Sequence, residues 1–190
     1  MPTINGKACV VNGKPVDKVF SNGVQVYGRN LASGTSQQYT MGYGIPNTAW
    51  EDGYAYLKLP TTIYNNGEIL PIDPYSFYYT LIQETTYTQT IWFETDATVK
   101  NLNAAHISWS AGSAWITQPA IVQKLGQNSY KIYSTYTWPG NSDNNVRLFD
   151  IFYLSYAFDL NTGTYLKFGK LKLEQGATAT PWTLAPEDVM

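Results

Sequence analysis

Apolar residues in this chain recur with period two. In residues 88–94, Thr-Gln-Thr-Ile-Trp-Phe-Glu, an extended backbone puts Ile91 and Phe93 on one side and Thr88, Thr90, Trp92 and Glu94 on the other. Residues 130–138 sort the same way, with Tyr130, Ile132, Tyr136 and Trp138 against Lys131, Tyr133, Thr135 and Thr137. In residues 75–83, Phe77, Tyr79 and Leu81 face inward and Ser76, Tyr78 and Thr80 outward. No long segment carries apolar residues at i, i+3, i+4 and i+7, and sixteen Tyr, six Trp and abundant Thr suit a pleated surface better than a helix. The expectation is an all-β chain of half-buried strands.

Two segments depart from simple alternation in informative ways. Residues 148–156, Leu-Phe-Asp-Ile-Phe-Tyr-Leu-Ser-Tyr, are apolar on both parities, which predicts a central strand covered on two sides. In residues 164–173, Leu166 and Phe168 share one parity and Leu171 and Leu173 the other, so the inward face must switch near Gly169, where a bulge costs least. Many short strands separated by turn signals indicate a two-sheet sandwich.

The first 28 residues repeat Asn-Gly at 5–6, 12–13 and 22–23, each beside short β-branched runs. Both residues tolerate the positive φ of a type I′ turn, so this segment reads as a β-meander. Strands this few are marginal alone, so the meander packs on the main domain or on a partner. Residues 28–73 are punctuated by Gly and Pro around short candidates such as the strand at 54–59. Such loops either carry function or are plain surface.

At 190 residues, 44% hydrophobic and 14% charged, the chain can bury a substantial core as one domain with a small appendage. Its net charge of -2, with twelve Lys and Arg scattered, argues against a phosphate-lined groove and hence against nucleic acid. Cys9 is alone, which precludes an intrachain disulfide. With no signal-like leader and no apolar run of about 18 residues, the expectation is synthesis in a cytoplasm without membrane insertion.

The closing stretch at 169–188, Gly-Lys-Leu-Lys-Leu-Glu-Gln-Gly-Ala-Thr-Ala-Thr-Pro-Trp-Thr-Leu-Ala-Pro-Glu-Asp, and an opening at 26–36, Val-Tyr-Gly-Arg-Asn-Leu-Ala-Ser-Gly-Thr-Ser, carry a resemblance. Together they resemble the start and finish of jelly-roll carbohydrate-binding modules in tail and baseplate proteins of bacteriophages infecting Gram-positive bacteria. The resemblance implies a jelly-roll antiparallel β-sandwich over 29–190, with 1–28 as an N-terminal attachment or spacer element. It implies a virion protein that meets host cell-wall polysaccharide or glycopolymer and joins phage tail or baseplate proteins through residues 1–28. Modules of this type often hold a structural calcium where the chain ends meet, for which Glu174 is conceivable. No Asp-rich loop supports assigning one, so no cofactor or metal ligand is named. The two motifs are the scaffold's seam and supply no sugar-contacting residue.

Candidate site residues therefore come from chemistry. Sugar rings lay C–H patches on aromatic faces, while their hydroxyls need polar groups alongside. On strand faces Trp92 with Glu94, Tyr78 and Tyr133 fit that description, and Trp50, Trp115 and Trp138 fit it near loops. Arg147 could fork onto hydroxyls or a carboxylate. Each has a structural alternative. The strand aromatics can pack beneath a neighbouring loop, Trp138 has inward parity, and Arg147 can pair with Asp143 or Asp150. Trp109 and Trp182 read as packing residues.

His106 is the only histidine, so neither a multi-histidine metal site nor a Ser-His-Asp triad with a spare base is constructible, and a Cys9–His106 pair would have to cross domains. A strand histidine is the simpler reading. The enzyme alternative is a glycosidase using Glu94 and Asp96, whose Cα atoms would lie about 7 Å apart on one strand face. The reading that follows is a non-enzymatic carbohydrate-binding virion protein whose weak sites act through avidity. A ligand-free decoration protein of the virion is the alternative, with the glycosidase behind it.

Overall fold

A computed structural model describes residues 9–32, 49–51, 53–62, 68–69, 78–101, 106–111, 114–140 and 145–189, and side chains within these except at 68–69, 78–80, 106–111, 114–117 and 145–154. Strands in chain order are β1 Val10–Val11, β2 Lys14–Pro15, β3 Lys18–Ser21, β4 Val24–Gly28, β5 Ala49–Glu51, β6 Tyr54–Lys58, β7 Glu68–Ile69, β8 Tyr78–Thr80 and β9 Thr86–Thr95. They continue with β10 Thr98–Val99, β11 His106–Ala111, β12 Ala114–Pro119, β13 Ile121–Lys124, β14 Ser129–Thr137, β15 Asn145–Tyr153, β16 Phe158–Asp159 and β17 Tyr165–Gln175.

The strands form an antiparallel β-sandwich of the jelly-roll type. One sheet has six strands in the order β13-β14-β9-β17-β6-β5, and the other runs β12-β11-β15-β7 with β8 also paired to β15. Short ribbons β1–β2, β3–β4 and β10–β16 complete the pairing. The core lies on one face of the six-stranded sheet, where Ile91, Phe93, Ile132, Leu166, Phe168, Leu171 and Leu173 are all 0% exposed. The Phe93 ring sits 6.0 Å from Phe158 and 6.3 Å from Phe168. Each such side chain contributes about 1.5–3 kcal/mol by leaving water.

The switch of parity in the closing strand is a bulge. Gly169 stands opposite Trp92 and Lys172 opposite Thr90, so β17 carries one residue more than β9 over that interval. Lys170 takes up the extra length with φ of 53°. That single insertion lets Leu166 and Phe168 before it and Leu171 and Leu173 after it reach the same core. Gly169 is required by contact, because a Cβ there would collide with the Gly53 carbonyl oxygen and lie 3.0 Å from Tyr54 Cα.

The Asn-Gly pairs behave as their conformational freedom dictates. Asn12 and Gly13 have φ of 50° and 73°, Asn22 and Gly23 have 50° and 77°, and they close the β1–β2 and β3–β4 hairpins. Asn5-Gly6 lies outside the described residues. The doubly apolar run gives an interior strand, since β15 is flanked by β11 on one side and by β7 and β8 on the other. It ends sooner than its hydrophobicity predicts. Leu154–Ala157 is a helical turn that carries the chain to β16 and leaves Tyr156 51% exposed.

The two ends of the module are stitched by one side chain. Asn30, fully buried, donates from Nδ2 to the carbonyls of Leu171 (3.2 Å) and Thr183 (3.0 Å), and its Oδ1 accepts from the N–H groups of Ala32 (3.0 Å) and Leu173 (3.1 Å). Leu31 N–H donates to Leu173 O at 2.7 Å alongside it. The opening and closing motifs thus form one hydrogen-bonded seam, as their resemblance implied.

Candidate functional site

The face of the six-stranded sheet turned away from the core has two halves, and register defines both. Thr88 and Thr90 of β9 lie opposite Glu174 and Lys172 of β17, and this half is closed: all four are 0% exposed. Tyr27, Gly28, Thr180 and Pro181 cover it. Lys172 Nζ donates to Thr180 Oγ1 (2.7 Å) and Pro181 O (2.7 Å) and lies 3.8 Å from Glu174 Oε2. Glu174 accepts from Thr180 N–H (2.9 Å) and Oγ1 (2.6 Å), and Gly28 N–H donates to Thr180 Oγ1 at 3.1 Å. The Tyr27 ring sits 5.7 Å from the Lys172 ammonium. Burial pushes Lys172 down to about 8 against the opposing pull of Glu174, and pushes the Glu174 carboxyl upward. Glu174, considered above as a calcium ligand, takes its counter-charge from this lysine.

The other half is partly open and rich in aromatics. Lys131, Trp92, Gly169 and Tyr54 form one cross-strand row, and Ser129, Glu94, Lys167 and Tyr56 form the next. Tyr165 follows, two residues before Lys167, opposite Lys58. The half-buried rings of Tyr56 and Tyr165 are parallel within 5°, with centroids 6.5 Å apart. Lys167 Nζ lies 5.8 Å from the Tyr56 ring and 3.2 Å from Glu51 Oε2, a bond that raises the lysine above its ordinary value. Burial, then the charge and hydrogen bond of Glu94, hold the Tyr54 hydroxyl well above the ordinary tyrosine range. Lys131 Nζ donates to Ala179 O at 2.9 Å and lies 5.3 Å from the Tyr133 ring.

Glu94 and Tyr133 stand on this face, both half-buried. Trp92 stands there too but is only 9% exposed, so the face expected to be polar and open is closed at that point. Two candidates belong to the core side instead. Trp138 is 1% exposed, and Trp50, paired with Ala55, packs on the core, because inward parity outweighs nearness to a loop. Tyr78, Arg147 and Trp115 lie on the second sheet within described strands. Their backbones form a single cross-strand row, Tyr78–Arg147–Ser110–Trp115.

Of the glycosidase pair only Glu94 lies in β9. Asp96 is in the turn beyond β9, where it accepts from Thr164 N–H (2.8 Å), Thr164 Oγ1 (2.7 Å) and Tyr165 N–H (3.1 Å), bonds that hold its carboxyl below the ordinary range. It serves as the acceptor that shapes the entry to β17. Among the described residues no group of three or more His, Cys, Asp or Glu is placed to hold a metal ion.

Tyr54, Tyr56, Tyr165 and Lys167 were not among the residues singled out from sequence. A signal existed. In 54–58 Tyr54, Tyr56 and Lys58 share a parity opposite Ala55 and Leu57, and Tyr165 and Lys167 alternate with Leu166 and Phe168.

No protein-family model and no curated protein matches the chain. Among solved structures it is similar to the tripod (BppUct-A-L) from the baseplate of bacteriophage Tuc2009, at 15% identity and a TM-score of 0.46, over 85% of this chain and 60% of that one. It is also similar to a chain from a structure described as CBM4 structure and function, at 19% identity and a TM-score of 0.40, over 77% of this chain and 81% of that one. The chain spans 60% of the length of the baseplate protein it resembles.

Proposed function

We propose that this chain is a non-enzymatic, carbohydrate-binding component of a phage tail or baseplate that adheres to host cell-wall polysaccharide. The observation that carries the reading is the parallel Tyr56–Tyr165 pair on the open half of the sheet, with Glu94 and Lys167 beside it. Half-exposed rings offer faces for sugar C–H groups, and the carboxylate and ammonium alongside offer partners for hydroxyls. The virion setting rests on the seam formed by the opening and closing motifs. One shallow site binds weakly, and many copies on one particle raise avidity by roughly 10² to 10⁴ when several engage together.

Residues 1–28 serve as the attachment element in this reading. The β3–β4 hairpin leaves Phe20 60% and Val24 64% exposed, apolar surface that suits a protein neighbour. Purified protein should be retained on cell walls of its Gram-positive host, and Tyr56→Ala should lower the affinity about tenfold while leaving thermal unfolding nearly unchanged. Unaltered retention with an intact fold would move the site to the Tyr78–Arg147–Trp115 row of the second sheet. Absence of retention by the unmodified protein would favour the ligand-free decoration role.

A further inference from the structure

The bulge residue of β17 is a lysine in a conformation that favours glycine. Lys170 has φ of 53°, where a side chain with a Cβ is strained, and β17 places a glycine one position earlier, where contact demands it. A residue held in this region against its preference points to a role for its side chain. That side chain reaches the open half of the sheet face. Lys170 Nζ lies 4.5 Å from the Tyr54 ring and 5.6 Å from the Trp182 ring, beside the row that holds Trp92.

Its charge is unlike those of Lys167 and Lys131. Lys167 is paired with Glu51, and Lys131 donates to a carbonyl under the closing segment. The Glu94 carboxylate acts on the Tyr54 hydroxyl, which it helps to hold above the ordinary tyrosine range. Lys170 forms no ion pair among the described residues and is half-exposed, its ammonium flanked by two aromatic rings. Lys58, exposed at the end of β6 opposite Tyr165, adds a second cation on the far side of the tyrosine pair. The two lysines bracket the aromatic platform along the strands by about 16 Å, five residues of strand rise from Tyr165, opposite Lys58, to Lys170.

We infer that the saccharide taken by this face is an anionic glycopolymer, with Lys170 reading a phosphate or carboxylate group while Tyr56 and Tyr165 carry the sugar. The inference rests on the carbohydrate-binding reading above and adds the charge class of its ligand. A neutral sugar gives the Lys170 ammonium only hydroxyls, whereas an anion provides the acceptor that no described carboxylate provides. A compact ammonium suits a single anionic oxygen.

The full chain would be tested for retention on immobilised poly(glycerol phosphate), polygalacturonate and neutral dextran at about 50 mM and about 500 mM salt. Binding to an anionic polymer that weakens at the higher salt is expected, and the preferred polymer distinguishes phosphate from carboxylate. Lys170→Gly should lower that affinity roughly tenfold while raising the melting temperature, because it removes the cation and the strain together. Lys170→Asn, which also tolerates this φ, should weaken binding similarly, and Lys170→Arg should retain it. Tyr56→Ala should weaken retention whatever the polymer's charge.

Retention on dextran without retention on either polyanion would overturn the inference and leave saccharide binding standing. Lys170→Gly that binds the polyanion as tightly as the parent would also overturn it. Failure on all three polymers would overturn both.

Discussion

Lys172 and Glu174 are both 0% exposed, and the energetics of the seam centre on them. Taking two charges out of water is costly, and their attraction together with the Thr180 and Pro181 hydrogen bonds offsets that cost. Gly28 fits here because it lacks a side chain; a Cβ would collide with Glu174 Oε2. The groups facing the Lys172 ammonium are Glu174 on β17, Lys131 on β14 and the Tyr27 ring on β4. Above pH about 8 the folded chain releases the Lys172 proton, whereas the unfolded chain keeps it up to the ordinary value of 10.5. Over that window the unfolded state binds more protons, so stability rises with pH. Lys131, lowered by burial, acts in the same direction, while Tyr27 and Tyr54, both raised by burial, reverse it above pH about 10. Denaturant unfolding should therefore show a gain on the order of 2 kcal/mol between pH about 7.5 and about 10. Lys172→Met should remove most of that gain, and a flat profile in the unmodified chain would show that the folded state does not depress this lysine.

At the scale of the element, the bulge in β17 couples core and site, since it swings Leu171 and Leu173 inward and sets Lys170 outward in one step. Gly169→Ala should destabilise the fold by about 1–3 kcal/mol, because its Cβ meets backbone at Gly53 and Tyr54 rather than a side chain that could rotate away. A thermal melt within a degree of the parent would refute this. The bulge was legible in the sequence, since the parity change at Gly169 needs only local alternation. The hairpins at Asn12-Gly13 and Asn22-Gly23 were legible for the same reason. The site was less so. Alternation places Trp92 on the outer face correctly, but whether that face meets water depends on terminal segments far along the chain. Trp50 and Trp138 lie near loops yet face the core. Tyr56 and Tyr165 meet only through the β6–β17 pairing, which no local pattern reveals.

Across the whole molecule, the boundary at residue 28 separates proposed attachment from proposed recognition, and contacts there determine what a truncation removes. Residues 9–26 contribute short ribbons with exposed apolar side chains, whereas Tyr27 is fully buried and accepts a hydrogen bond at its hydroxyl from Cys9 N–H at 3.1 Å. Arg29, just beyond the boundary, ties both sides by pairing with Asp17 at 3.4 Å and with Glu187 near the end of the chain. Removing residues 1–16 deletes the Cys9 bond to Tyr27 but keeps Arg29 paired with Asp17 and Glu187, and should cost little. Removing residues 1–28 leaves Asn30 and the main core intact, so the module should still fold. It should melt lower, because Lys172 loses Tyr27 from one side and Arg29 loses Asp17. In the proposed division of labour, this shorter chain still adheres to cell walls through Tyr56 and Tyr165 but no longer joins tails. Circular dichroism melts together with cell-wall and tail-assembly pull-downs would measure all three properties. Loss of the folded state on removing residues 1–28 would make the chain one undivided unit, whereas unimpaired tail assembly by the shorter chain would place the attachment surface elsewhere on the sandwich.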